Sequence, residues 1–72
     1  MREEYIKTMS GQIVGIIRTA SNGDKTAFQY PSMKILGYYR ANLDMTTNLY
    51  GKALNRGDST TALVWENSLY NK

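Results

Sequence analysis

"QIVGIIRTASNGDKTAFQY", residues 12–30, decides the fold. Two apolar runs rich in β-branched and aromatic side chains flank "SNGD". Asn22-Gly23 is a strong short-range hairpin signal, because Asn and Gly tolerate the positive φ that a tight turn demands. A two-residue turn on Asn22 and Gly23 sets a register that can be worked out by hand. Thr19 faces Thr26, Ile17 faces Phe28, and Gly15 faces Tyr30. In that register the Tyr30 ring covers backbone that a strand glycine leaves bare.

The phrase "GIIR" (15–18) has a near twin in "GYYR" (37–40). Shifted by 22 residues, Ile13 falls on Ile35, Gly15 on Gly37, Arg18 on Arg40 and Phe28 on Tyr50. A shorter echo follows, with "GQIVG" (11–15) resembling "GKALN" (51–55). Internal repetition of strand-forming phrases predicts an all-β fold, a small antiparallel meander of short hairpins with a pseudo-repeat of about 22 residues. Pro31-Ser32 ends the first hairpin, since proline cannot donate to a ladder. "MKILGYYRA" (33–41) reads as a long strand, "NLDM" as a looser loop, "TTNLYGKAL" (46–54) as the partner strand and "NRGDS" (55–59) as a turn. "TTALVWENSLY" (60–70) reads as a strand over 61–66 and a frayed tail; the competing reading is a short helix capped by Asp58 or Ser59 and carrying Ala62, Trp65 and Leu69. The expected organisation is an arm or edge strand over 1–10, one β-domain over 11–66 and a tail over 67–72.

Strand parity makes both faces of 12–19 and 34–41 apolar. Val14 and Ile16 oppose Ile13 and Ile17, while Leu36 and Tyr38 oppose Ile35 and Tyr39. A half-solvated antiparallel strand would alternate apolar with polar. Seventy-two residues offer little to cover two faces, and with no cysteine there is no disulfide to help. Self-association meets that need, so a homo-oligomer is expected. Ile17, Phe28, Leu36, Tyr39 and Tyr50 are the expected core. The strand edges at 12–19 and 46–54 are the expected places for strand addition.

The stretches "SGQIVGII", "SMKILGYY" and "YGKALNRGD" resemble the short glycine-anchored repeats of small bacterial proteins described as four-fold β-flower domains. The resemblance spans about residues 10–65. It implies short hairpins around a pseudo-symmetry axis and carries no functional residues with it. Met33 stands where the pattern has glycine, and Asn55 also departs from it.

Composition narrows the chemistry. There is no histidine, which removes the usual general base and the common zinc sites. Three of the six acids fall in expected turns, where Asp bonds local backbone. No enzyme, catalytic residue, cofactor or metal site is expected. Arg56-Gly57-Asp58 spells the adhesion tripeptide, but a turn glycine followed by a capping Asp accounts for it. The start lacks the apolar run of a signal peptide and no span reaches transmembrane length, so a cytoplasmic protein without membrane contact is the default. The net charge of +3 is mild and spread along the chain.

The expected function is a self-associating interaction or structural module whose protein partner the sequence does not name. The alternative is a nucleic-acid-binding β-module that stacks bases on aromatics and contacts phosphates through Arg and Lys. Arg18, Arg40, Tyr38 and Trp65 are the candidate binding surface. Gly15, Asn22, Gly23, Tyr30 and Gly37 are the expected structural residues.

Overall fold

The computed structural model of the chain describes residues 1–67. Six antiparallel strands follow one another across one sheet in chain order: β1 (Arg2–Lys7), β2 (Ile13–Thr19), β3 (Lys25–Gln29), β4 (Ile35–Arg40), β5 (Met45–Asn48) and β6 (Ala53–Arg56). The all-β meander expected from the sequence is present. To it is added a helix, α1 (Thr60–Glu66), which lies across β2, β3 and β4 on one face.

The helix replaces the strand expected over 61–66. Asp58 explains the difference: one carboxylate oxygen accepts both the Thr60 N–H at 3.0 Å and the Thr60 hydroxyl at 2.6 Å. That turns the chain at Thr60 into the helix, whose first turn closes with the Leu63 N–H on the Ser59 carbonyl at 3.1 Å despite the β-branched residues. Asp58 also meets Lys25 Nζ on β3 at 2.5 Å, which pins the start of α1 to the sheet. The far end is tied by Gln29 Nε2, which donates to the Asn67 carbonyl at 2.9 Å. Leu69 lies outside the described residues.

Gly15 and Gly37 are the seats of this helix. A Cβ on Gly15 would collide with Val64 Cγ1, and would stand 2.8 Å from Val64 Cγ2 and 2.9 Å from the Phe28 carbonyl. A Cβ on Gly37 would collide with the Thr47 carbonyl and stand 2.7 Å from Leu63 Cδ1. The twin phrases thus clear room for two consecutive helix residues, both buried. Tyr30 does not cover Gly15, as the sequence suggested; it is exposed beside the next turn.

The cause is a one-residue difference in the first hairpin. Gly15 pairs with Gln29, Ile17 with Ala27 and Thr19 with Lys25. The loop holds three residues, not two: Ala20 N–H donates to the Asp24 carbonyl, and Gly23 N–H returns to the Ala20 carbonyl. Gly23 takes φ +95°, whereas Asn22 is not among the positive-φ residues, so this is a type I turn with a glycine bulge. Asn22 serves through its side chain, accepting the Asp24 N–H at 3.0 Å.

Residues 46–54, read as one strand, form a hairpin instead. Asn48 N–H donates to the Lys52 carbonyl at 2.9 Å around Gly51, whose φ is +86°. The 8–12 turn is closed in the same way by Thr8 and Gln12, around Gly11 at φ +92°. In the turn over 30–34 the corresponding place is held by Met33, at φ +59°. This is the position where the β-flower pattern has glycine. A left-handed conformation costs an L side chain about 1–2 kcal/mol, partly offset by glycine's greater unfolded entropy. Met33→Gly is therefore expected to raise stability by about 1 kcal/mol, read as a higher urea midpoint with an unchanged slope.

The register slips opposite Ile13-Val14-Gly15, Ile35-Leu36-Gly37 and Ala53-Leu54-Asn55, leaving Val14, Leu36 and Leu54 as the extra residues. Such bulges re-aim side chains. Val14 and Leu36 join Ile6, Ile17, Ala27, Leu63 and Val64 in the core, with Trp65 packed against it. Ile17 and Leu36 are core as expected. Phe28 is only half-buried, Tyr39 is half-buried with its hydroxyl on Asp44, and Tyr50 is 86% exposed. The sheet edges are β1 and β6, because β1 covers the edge of β2 that the sequence left open.

Candidate functional site

Antiparallel pairing sorts the side chains between the helix-covered face and its opposite. Tyr5, Ile16, Phe28 and Ile35 are successive cross-strand partners on β1 to β4, and they run as one row across the face away from α1. Ile16 is buried within the row, whereas Tyr5 at its outer end is 49% exposed and Ile35 is 37% exposed. A second row holds Glu3, Arg18, Thr26, Tyr38 and Thr47.

Arginines lie over the rings of this face. The Arg18 guanidinium sits 4.9 Å from the Phe28 centroid and Arg40 sits 5.6 Å from that of Tyr38. Each such contact is worth about 0.5–1 kcal/mol at an exposed site. Glu3 stands opposite Arg18 and accepts from its Nη2 at 2.7 Å and its Nε at 2.9 Å, which holds the guanidinium flat. Arg40 is held more loosely, 4.0 Å from Asp24. The arrangement presents planar cations stacked on rings, which suits anions and flat partners.

Three of the four expected binding residues, Arg18, Tyr38 and Arg40, come together here. Trp65 does not: it rides on α1 against the core, on the opposite side of the sheet. The strand expectation over 61–66 misplaced it. Phe28 belongs to the face and was overlooked, because the two-residue turn paired it with Ile17 on the other side. Its spacing of ten residues from Arg18 was the signal, readable once the turn is given its third residue.

Arg56-Gly57-Asp58 has its carboxylate committed to Lys25 and Thr60. Burial pushes the Asp58 carboxyl up, but the hydrogen bonds from Lys25 and Thr60, with the Lys25 charge, outweigh it and hold the group below its ordinary value. A carboxyl depressed in the folded state adds stability that is complete above the unfolded value, about pH 4, and is lost as pH falls through the folded one. Urea midpoints measured from neutral pH downward are expected to drop below about pH 4. Asp58→Asn is expected to flatten that limb. Tyr39 moves the other way: its hydroxyl donates to Asp44 Oδ1 at 2.7 Å, and this bond, then burial and the nearby carboxylates, raise it above the usual phenol range.

Among the described residues no three of His, Cys, Asp or Glu gather as a metal site, and no helix is long and apolar enough to cross a membrane. Compared with protein-family models, curated proteins and solved structures, the chain finds no match.

Proposed function

We propose that the protein is a self-associating interaction module whose contact surface is the sheet face opposite α1. The observation that carries this reading is the row Tyr5, Ile16, Phe28 and Ile35, which has no layer of secondary structure over it among the described residues. A sheet with an apolar face gains from burying it against a second layer. Among the described residues that layer is supplied on one side only, and a second copy supplies it on the other. Sedimentation equilibrium over a wide concentration range is expected to give a multiple of the monomer mass. Tyr5→Lys with Ile35→Lys, both at exposed positions, is expected to return the monomer with its circular dichroism intact. A wild-type monomer at every concentration would sink the reading.

The gathering of Arg18, Arg40, Tyr38 and Phe28 on this same face favours a second reading, contact with single-stranded nucleic acid. Its test is fluorescence anisotropy of a labelled random oligonucleotide at two salt concentrations. Binding that weakens with salt, and whose salt slope falls by about 0.7 for each guanidinium removed in Arg18→Gln and Arg40→Gln, would raise it above the first.

A further inference from the structure

The meander places the turns over 8–12, 30–34 and 49–52 at one end of the sheet, since each joins an odd strand to the next even one. Large apolar side chains crowd these tips. Met9 is fully exposed, Tyr50 is 86% exposed, and Leu49, Tyr30 and Met33 are each near 40%. Behind them stand Lys7, at the end of β1, and Lys34 and Lys52, which lead into β4 and β6; all three are exposed. The ion pairs among the described residues, Glu3–Arg18, Lys25–Asp58 and Asp24–Arg40, all lie toward the other end. Asp44 is there too. The acid at the turn end is Glu66, in the last turn of α1.

Charge is therefore sorted along the strand axis: the three ion pairs, with Arg2, Arg56 and Asp44, lie toward one end, where acids and bases balance, and lysines stand among apolar tips at the other. Alternate strand pairs set the three tips about 10 Å apart in a row. Protein–protein interface cores are depleted in lysine. The boundary layer of a bilayer takes the opposite mixture: lysines beside phosphates, with Tyr, Leu and Met a few ångströms deeper. We propose that this end, with Met9, Leu49 and Tyr50 foremost and Lys7, Lys34 and Lys52 behind, docks the protein on an anionic lipid surface. The contact is peripheral, through loop tips and not through a spanning element. It leaves the face opposite α1 available, so it is independent of self-association there.

The test is co-sedimentation with vesicles of equal parts phosphatidylglycerol and phosphatidylcholine, beside pure phosphatidylcholine, at low and high salt. Binding to the anionic vesicles that falls with salt is expected. Lys34→Gln with Lys52→Gln is expected to weaken it about fivefold per lysine, near twenty-fivefold together. Tyr50→Ser with Leu49→Ser should weaken it at unchanged charge, and Arg18→Gln with Arg40→Gln, which removes as much charge elsewhere, should alter it less than the lysine pair does. Absence of binding to anionic vesicles at low salt would overturn the proposal, as would equal losses in the lysine and arginine pairs. If Tyr50→Ser with Leu49→Ser lowers the sedimentation mass and leaves vesicle binding unchanged, the end is a contact between copies and the proposal fails.

Discussion

Gly37→Ala is expected to cost this domain a substantial part of its stability. The new Cβ meets the Thr47 carbonyl, which belongs to the neighbouring strand and cannot turn aside, and Leu63 Cδ1 at 2.7 Å. Overpacking of this kind costs about 1–3 kcal/mol, more where backbone must shift, against a total of about 4–10 kcal/mol for a chain of this size. Gly15→Ala should cost less, because its nearest obstacle is the Val64 side chain and its one backbone obstacle, the Phe28 carbonyl, stands farther off at 2.9 Å. The two sites separate in double-mutant cycles. Val64→Ala makes room for an alanine at 15, so the pair should be less damaging than the sum of its single changes. Leu63→Ala leaves the Thr47 carbonyl where it is, and should not rescue Gly37→Ala. Additive losses at Gly15 and Val64 would show that the helix does not rest on that glycine.

Thr46→Val is the second large loss. Thr46 is fully buried, and its hydroxyl donates to the Gly57 carbonyl at 2.5 Å while accepting the Ser59 N–H at 2.8 Å. Valine keeps the shape and strands both backbone groups, at about 1–3 kcal/mol each. A total near 2–4 kcal/mol is expected in urea unfolding. Thr46→Ser retains the hydroxyl and should lose only about 1 kcal/mol for the missing methyl group. Gly57 and Ser59 lead the chain into α1, so Trp65 emission should shift in Thr46→Val below the main transition. If valine and serine were equally tolerated, the hydroxyl would have no part in holding the helix.

The strands were legible because Val, Ile, Thr and Tyr run between turn residues, and Asn22-Gly23 marked the first hairpin correctly. The same dipeptide hid the register. Asn-Gly suits a two-residue turn as well as the three-residue turn with a glycine bulge seen here, and one residue moves every side chain to the other face. Phe28 and Tyr30 were misplaced for that reason alone. Gly15 and Gly37 announced that something approaches closely, but local sequence cannot say what. The visitors, Val64 and Leu63, come from a segment whose β-branched residues favour a strand until Asp58 turns the chain at Thr60 into the helix. Arg18 and Arg40 were readable as a set from their equivalent positions in the repeated phrase, and Tyr38 because strand alternation puts it on the same side as Arg40. Trp65 was not, since its position depends on where α1 docks.

Every strand of the meander pairs with its neighbour in sequence, across short turns. The entropy of loop closure is then small at each step, and the sheet can grow hairpin by hairpin without a distant search. Docking of α1 is the exception: Lys25 meets Asp58 and Gln29 meets Asn67 across most of the length of the sheet's own sequence. In kinetic terms the turns govern how fast the chain folds, and the helix governs how long it stays folded. Changes at Gly23 should slow folding, whereas truncation of Val64 should chiefly quicken unfolding.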